Sequence, residues 1–311
     1  MPSQDTHRLT PQDFVAAFGS DPSDYLADRI EKYEFDFRML SSDERDSCIR
    51  KVVEVLTTQD LVKAGDARLG QWESGWGAHL KNLEQGFDIS AITPGYFGKY
   101  PIVRWQQEYI APVARDFEYK SFSVIQDWLF DKFFRDAPAV YEFGCGTGHN
   151  LFRARDVNPT AELWGLDWTE ASQQVIARVK ELGGDDNIFG RRFNLVEPDA
   201  SFDLKHGACI YTAASLEQIG NRFEPFIEYL LAQKPKICVH IEPMGEFLDE
   251  SNLLDYLSLQ YFKQRNYLTG FVDYLGALAQ KGRIRILEAR RTSIGSFLID
   301  GYSVVVWSPV D

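Results

Sequence analysis

The residues best suited to chemistry lie in one glycine-rich segment, Glu142–Asn150, which reads Glu-Phe-Gly-Cys-Gly-Thr-Gly-His-Asn. An apolar run precedes it and a helical pattern follows it, so we expect a turn from a strand into a helix. Glycines at such a turn let the backbone approach a ligand closely and adopt positive φ angles. The spacing is GxGxG, whereas a dinucleotide site needs GxGxxG to seat a pyrophosphate on the helix N-terminus. A cationic ligand with an amino group and no phosphate suits this turn better.

A second carboxylate, Asp167, lies 19 residues after Gly148, at the end of the next predicted strand. The acidic residue at this place in nucleotide-binding α/β folds accepts hydrogen bonds from a ribose. Trp168, which follows it, can stack on an adenine. Two simpler interpretations stay open: Asp167 caps the next helix, and Trp168 belongs to the core.

These two segments resemble motif I and the following acidic motif of class I S-adenosylmethionine-dependent methyltransferases, over roughly residues 115–311. The resemblance implies S-adenosyl-L-methionine as the cofactor, with the glycines along its methionine part, Glu142 orienting that part and Asp167 on the ribose. It also places Asn194 near the adenine amino group, although an Asx turn explains this residue as well. The implied cofactor-binding residues are Glu142, Gly144, Cys145, Gly146, Gly148, Asp167, Trp168, Asn194, Leu195 and Thr212.

The fourth predicted strand runs into 211–219, which is similar to the Leu-Glu-His-Val stretch of many small-molecule methyltransferases. Glu217 matches the glutamate, but Gln218 stands where histidine is common, which weakens the case for a base there. The chain lacks the Asn-Pro-Pro-Tyr signature of enzymes that methylate planar nitrogens of nucleic-acid bases or glutamine.

Two candidate catalytic residues, His240 and Glu242, lie near the end of the fifth predicted strand. Open α/β sheets bind ligands at the carboxyl ends of their strands. An acceptor hydroxyl or ammonium must lose a proton, and a histidine or carboxylate nearby helps to remove it. His240 as a structural histidine is the alternative.

The acceptor is expected to contact polar side chains from two further segments. The insertion after the fifth strand offers Tyr261 and also Arg265, an anion-binding group that suits a polyhydroxylated or phosphorylated small molecule. A similar extension occurs in methyltransferases of bacterial surface-glycan and specialised-metabolite pathways, and packing on the sheet is the simpler interpretation. The second segment lies in the amino-terminal half, where Tyr100 or Arg104 can reach the methionine carboxylate of the donor. The predicted substrate-binding residues are Tyr100, Arg104, Glu217, Tyr261 and Arg265.

Short apolar runs alternate with helical patterns from Ala139 onward, which is typical of a parallel sheet covered on both faces. The loop 291–301 is too short for a crossover helix, so the last strand is expected to be antiparallel. We therefore predict an α/β fold with a Rossmann-like seven-stranded mixed sheet, an antiparallel last strand and a helical N-terminal region. The predicted strands are Ala139–Phe143, Glu162–Asp167, Asn187–Phe193, Ala208–Thr212, Lys236–Ile241, Arg283–Ala289 and Tyr302–Trp307.

The predicted domain organisation has two parts. Residues 1–115 form helices and loops, and residues 116–311 form the cofactor-binding domain with a helical insertion at about 248–268. The aromatic stretch Gly65–Tyr109 either caps the core of that domain or forms a lid over a substrate pocket.

The composition limits the classes of partner that we expect this protein to bind. The 311 residues include 33 Lys and Arg against 46 Asp and Glu, a formal charge of −13 that repels nucleic-acid backbones and anionic membranes. Cys48, Cys145, Cys209 and Cys238 are far apart and form no CxxC, so we expect no structural metal. No export signal or long apolar window is evident, and the expected location is the cytoplasm.

The sequence thus favours a methyltransferase acting on oxygen or nitrogen of a small polar metabolite: a sugar, a nucleotide-sugar or a specialised metabolite. One alternative is a nicotinamide-dependent oxidoreductase that uses the same turn, and another is a non-catalytic methyltransferase-like binding subunit. The sequence leaves a homo-oligomer open.

Overall fold

A computed structural model describes residues 6–58 and 60–310 of the chain. The first five residues, which belong to the predicted region 1–115 and to the stretch searched for an export signal, lie outside the described residues. The strands are β1 Thr6–Arg8, β2 Asp36–Met39, β3 Val103–Trp105, β4 Glu108–Pro112, β5 Ala139–Phe143, β6 Glu162–Asp167, β7 Ile188–Arg192, β8 Cys209–Ala213, β9 Ile237–Glu242, β10 Ile284–Arg290, β11 Ile294–Gly295 and β12 Ser303–Pro309.

Helices cover the two faces of the larger sheet and much of the N-terminal region. None of the helices within the described residues has the length and apolar character needed to cross a membrane. The helices are α1 Val15–Phe18, α2 Asp24–Lys32, α3 Ser42–Thr58, α4 Leu69–Asn82, α5 Ile89–Ile92, α6 Phe117–Phe133, α7 Leu151–Val157, α8 Glu170–Glu181, α9 Glu224–Gln233, α10 Leu253–Arg265 and α11 Phe271–Gln280.

The larger sheet has seven strands in the order β10-β12-β9-β8-β5-β6-β7. Strands β5 to β9 are parallel, and β12 is antiparallel to both β9 and β10. Residues Ser303 to Trp307 of β12 are all buried, because this strand lies inside the sheet between its two neighbours. The predicted α/β fold with a mixed sheet and an antiparallel last strand is confirmed.

The core lies on both faces of this sheet. Helix α6 packs between the sheet and the N-terminal region, and all ten of its residues from Ser121 to Phe130 are buried. Helices α9 and α11 cover the opposite face, where Phe226 and Leu275 are completely buried. Because both faces are covered, every residue of β5 is buried, and the turn that follows lies at the edge of the sheet.

The N-terminal region differs from the prediction of helices and loops alone, because it also forms a five-stranded antiparallel sheet in the order β1-β2-β4-β3-β11. These strands have two to five residues, too few to show a clear alternation of apolar and polar side chains. The two residues of β11 come from the predicted loop 291–301 and pair with β3, so the loop joins the two sheets.

Arg104 on β3 connects this small sheet to α10. Its Nη1 donates to the Leu254 carbonyl at 2.8 Å and to Ser258 Oγ at 2.6 Å, and its Nη2 donates to the Leu298 carbonyl at 2.8 Å. The side chain is 2% exposed and does not line the large cavity described below. The prediction of Arg104 as a ligand-binding residue is therefore wrong, because its guanidinium is used within the protein.

We expect Arg104→Met to lower the free energy of unfolding by about 3 kcal/mol, because the buried guanidinium loses its hydrogen bonds to two backbone carbonyls and to Ser258 Oγ. Urea denaturation followed by circular dichroism measures this. The control is Arg45→Met, since the Arg45 guanidinium forms an exposed ion pair with Glu108 at 3.4 Å; its effect should stay within about 0.5 kcal/mol. Equal effects of the two changes would contradict the structural role of Arg104.

Candidate functional site

A cavity of about 500 Å³ opens at the carboxyl ends of β5, β6 and β8. Its floor is the turn after β5, and its walls come from the residues that follow β6, β7 and β8. Helix α4, the segment 94–100, the end of α10 and the loop before β12 complete the enclosure. The strand order reverses between β5 and β8, which is where ligands bind in open α/β sheets.

The glycine turn needs glycine for two physical reasons. Gly144 and Gly146 have φ angles of +79° and +55°, in the left-handed region. A Cβ atom on Gly146 would lie 2.9 Å from Trp76, and one on Gly144 would lie 2.3 Å from the Ser215 Cβ. Gly148 also has a positive φ, +77°, but it does not line the cavity. Its predicted contact with the cofactor is therefore corrected: Gly148 belongs to the turn that starts α7.

Glu142 acts from beneath the turn. Its Oε1 accepts a 2.7 Å hydrogen bond from Asn150 Nδ2, and its Oε2 accepts one of 2.9 Å from the Tyr211 hydroxyl. Complete burial raises the pKa of Glu142 to about 8. Asn150 lines the cavity and its Oδ1 has no hydrogen-bond partner among the described residues, whereas Glu142 is not part of the wall. The predicted direct contact of Glu142 with a ligand is thus replaced by Asn150, which Glu142 orients.

Asp167 joins the ends of β5 and β6. Its Oδ2 accepts a 3.0 Å hydrogen bond from the Gly146 amide, and its Oδ1 accepts from the Thr169 amide at 2.9 Å and hydroxyl at 2.7 Å. Thr169, not Asp167, is the cap of α8, since its hydroxyl accepts from the Ser172 amide. Burial raises the pKa of Asp167. Asp167 and its half-buried neighbour Trp168 both line the cavity.

Asn194 and Leu195 line the same end of the cavity. The Asn194 Oδ1 accepts a 3.0 Å hydrogen bond from the Val196 amide, so the Asx turn is present. This turn uses only the carbonyl oxygen and leaves the amide nitrogen for a ligand. Of the predicted cofactor residues, the wall contains Gly144, Cys145, Gly146, Asp167, Trp168, Asn194 and Leu195, whereas Glu142, Gly148 and Thr212 do not reach it.

Helix α4 forms the roof over the glycine turn. Trp72 and Trp76 stack with ring centroids 5.1 Å apart and planes 20° apart, and the Arg68 guanidinium lies 4.4 Å from the Trp72 ring centroid. Trp72 and Trp76 are four residues apart and lie on one face of the helix, and Arg68, four residues before Trp72 in the preceding turn, continues this face. Glu73 fixes the roof, because its carboxylate accepts hydrogen bonds from the Glu170 and Ala171 amides at the start of α8.

His240 lies in the core, away from the cavity. It is completely buried; its Nδ1 is 2.9 Å from Thr212 Oγ1 and its Nε2 accepts a 2.9 Å hydrogen bond from Trp307 Nε1. Burial lowers the pKa of His240 to about 3. Neither ring nitrogen is available to an acceptor, so the prediction of His240 as a base is wrong, and Thr212 is a partner of this histidine.

Glu242 positions the loop after β8. Its Oε1 accepts hydrogen bonds of 3.1 Å from both the Ser215 and Leu216 amides, and its Oε2 accepts one of 3.3 Å from the Glu217 amide. Burial raises the pKa of Glu242 to about 7, but the carboxylate does not reach the cavity. The predicted catalytic role of Glu242 is therefore corrected: Glu242 holds the backbone that positions Glu217.

The other end of the cavity contains Tyr100, Glu217, Tyr261 and Arg265, which were expected to meet the acceptor. The sequence did not single out their neighbours, because these come from distant parts of the chain. Glu118 carried the one available signal, an acid on an otherwise apolar helix face, and it accepts a 3.0 Å hydrogen bond from the Tyr302 hydroxyl. The wall residues that were missed include Arg68, Glu118, His149, Asn150, Gln218, Tyr267 and Tyr302.

No protein-family model and no curated protein sequence matches the chain. Solved structures with a similar fold include a geranyl diphosphate C-methyltransferase from Streptomyces coelicolor A3(2), at 14% identity and a TM-score of 0.47, covering 79% of this chain and 100% of that one. Magnesium protoporphyrin IX methyltransferase from Synechocystis PCC 6803 matches at 12% and 0.45, covering 61% and 83%. Human N-acetylserotonin methyltransferase matches at 12% and 0.43, covering 78% and 69%. At this level of similarity, the function of this protein has to be inferred from the residues of its own site.

The burial of His240 predicts how the stability of the protein depends on pH. Because the pKa of His240 falls from 6.5 to about 3 on folding, only the unfolded chain binds this proton as the pH drops below 6.5, and stability is lost there. We expect the stability of the wild type to fall between pH 7 and pH 5 by about 2 kcal/mol more than that of His240→Gln.

Urea denaturation at both pH values measures the difference. His206→Gln, in an exposed turn, is the control and should follow the wild type. If His240→Gln loses as much stability as the wild type between the two pH values, the histidine is not held neutral in the core.

Proposed function

We propose that this protein is an S-adenosylmethionine-dependent methyltransferase that acts on oxygen or nitrogen of a small polar metabolite. The observation that carries the proposal is one cavity containing a GxGxG turn, a carboxylate at the end of the next strand and a roof of two tryptophans. In this arrangement Asp167 holds the ribose, Trp168 and Asn194 meet the adenine, and Asn150 meets the methionine part.

The hydrogen bonds of the turn argue against the nicotinamide alternative. The Gly144 and Cys145 amides donate to the Leu166 carbonyl at 2.7 and 3.0 Å, the Gly146 amide donates to Asp167, and the Gly148 amide donates to the Cys145 carbonyl at 2.9 Å. A pyrophosphate needs free amides at such a turn. With these amides occupied, a donor that brings no phosphate fits better.

Methyl transfer from a sulfonium is an in-line displacement in which the positive charge of the donor disappears. Alignment and exclusion of water therefore supply most of the catalysis. The stacked rings of Trp72 and Trp76 cover the turn, and aromatic faces attract cations. We propose that residues 1–115 serve as this cap over the domain 116–311, and that the insertion 248–268 encloses the acceptor.

Glu217 is our candidate for the group that takes the proton from the acceptor. Its carboxyl group lines the cavity and accepts a 2.6 Å hydrogen bond from Gln218 Nε2. Burial, with the nearby charge of Glu242, raises the pKa of Glu217 to about 8, while Arg265 and Arg68 oppose this shift. The charge of −13 supports a small acceptor over nucleic acid, and the cytoplasm is the proposed location.

The turn supplies the test of donor binding. Gly146→Ala puts a methyl group against Trp76, so we expect it to weaken S-adenosylhomocysteine binding at least tenfold in isothermal titration calorimetry. Gly282→Ala is the matched control: Gly282 has a similar φ of +70°, and an added Cβ meets nothing within 4 Å. NADH binding without S-adenosylhomocysteine binding would reverse the choice in favour of the oxidoreductase.

Turnover is tested with methyl-labelled donor and a small-molecule extract. We expect label in a small metabolite, with a rate that rises as the pH increases through about 8, because the Glu217 carboxylate must be ionised to accept a proton. Glu217→Gln should remove this rise and lower the rate at least tenfold, with donor affinity unchanged. Donor binding without transfer to any metabolite would instead support the non-catalytic subunit.

A further inference from the structure

Two buried arginines line the cavity: Arg68 precedes α4 and Arg265 ends α10. Arg68 is 7% exposed and Arg265 is 8% exposed. Both side chains line the same cavity, and burial together with the charge of Arg265 lowers the pKa of Arg68. Like charges held this way in a partly dry site are unfavourable until an anion joins them.

Their hydrogen-bond partners are neutral. Arg68 donates to the side-chain oxygens of Gln71, at 3.2 Å, and Gln218, and Arg265 Nη2 donates to the Tyr267 hydroxyl at a long 3.5 Å. Arg265 Nε is buried without any partner. Across residues 6–58 and 60–310, neither guanidinium forms an ion pair with a carboxylate.

Two other arginines show how this protein satisfies a guanidinium that has a structural role. The buried Arg104 lies outside the cavity and donates to two carbonyls and to Ser258 Oγ, whereas the partly buried Arg291 pairs with carboxylates. Arg291 donates to both carboxylate oxygens of Asp255, at 2.6 and 2.5 Å, and to Asp300 at 2.7 Å. Arg68 and Arg265 have no such counter-ions. The charge of Glu217 acts on both arginines, but its pKa of about 8 leaves Glu217 mostly protonated at neutral pH.

The sheet order separates these arginines from the ribose and adenine end of the proposed donor site. Arg68 contacts Gln218, which follows β8, and Arg265 belongs to the helix that follows β9. Asp167 follows β6, on the opposite side of β5. An anion between the arginines therefore lies on the acceptor side, and the sulfonium of the donor would add a third positive charge to the cavity.

We propose that the methyl acceptor carries a phosphate group and that Arg68 and Arg265 bind it. This deepens the proposed function and rests on it. A phosphate carries about −1.5 to −2 charges at pH 7, which matches two guanidiniums better than a single carboxylate does. Planar guanidiniums also bind phosphate oxygens in pairs, and the unpartnered Arg265 Nε gains a hydrogen bond.

The test uses inorganic pyrophosphate as the probe, titrated calorimetrically into protein saturated with S-adenosylhomocysteine. We expect binding that Arg68→Gln and Arg265→Gln each weaken at least tenfold, with partial recovery in Arg265→Lys, which keeps the charge but loses the fork. The control is Arg222→Gln, which removes the same charge from an arginine that pairs with Asp66 outside the cavity; it should leave pyrophosphate binding unchanged.

Two outcomes would overturn the proposal. Pyrophosphate binding that survives both glutamine variants would place the anion elsewhere. Weakened S-adenosylhomocysteine binding in these variants, with unchanged binding of 5′-methylthioadenosine, would assign the arginines to the donor's carboxylate. Failure of the proposed function is distinct, since the wild type would then not bind S-adenosylhomocysteine at all. Urea denaturation of each variant verifies that it is folded.

Discussion

The hydrogen bond from the Gly146 amide to Asp167 is the interaction on which the rest of the site depends. At 3.0 Å it fixes the turn after β5 against the end of β6, and the other oxygen of the same carboxylate holds the cap residue of α8. Helix α8 in turn anchors the roof helix through Glu73. One carboxylate therefore sets the floor of the cavity and, through α8, the position of its tryptophan cover.

Buried acids do the positioning in this site, and the side chains that face a ligand are held by them. Glu142 orients Asn150, and Glu242 holds the backbone of the loop that carries Glu217. Complete burial raises the pKa of both positioning acids, and each is hydrogen-bonded to groups of the protein. The glycine turn and Asp167 follow β5 and β6, whereas the two guanidiniums, which have no carboxylate counter-ion among the described residues, lie beside elements that follow β8 and β9.

The parts of the fold that follow from local patterns were predictable from the sequence. Apolar runs marked all seven strands of the larger sheet, and the short loop after Arg290 indicated that the last strand is antiparallel. The spacing of the glycines predicted the floor of the cavity, because the positive φ angles at Gly144 and Gly146 require glycine and so can be recognised in the sequence. The small sheet was missed, since its pairing joins strands as far apart as β3 and β11.

Side-chain direction and depth were not predictable. His240 lies two residues before the end of β9, about 6–7 Å below the edge of the sheet, so its ring meets Trp307 in place of a ligand. Arg104 looked like a ligand-binding group from its type, but the backbone carbonyls that it satisfies come from residues 254 and 298. Arg68 and Arg265 are 197 positions apart, and only the folded chain places them in the same cavity.

The central claim is that one cavity, between the glycine turn and the tryptophans of α4, receives the methyl donor. A crystal structure of the protein with S-adenosylhomocysteine tests it most directly. We expect the ribose hydroxyls on Asp167, the amino-acid part over Gly144 and Gly146, and the ligand covered by Trp72 and Trp76. Ligand density outside this cavity, or a nicotinamide dinucleotide in it with its pyrophosphate on the turn, would contradict the account.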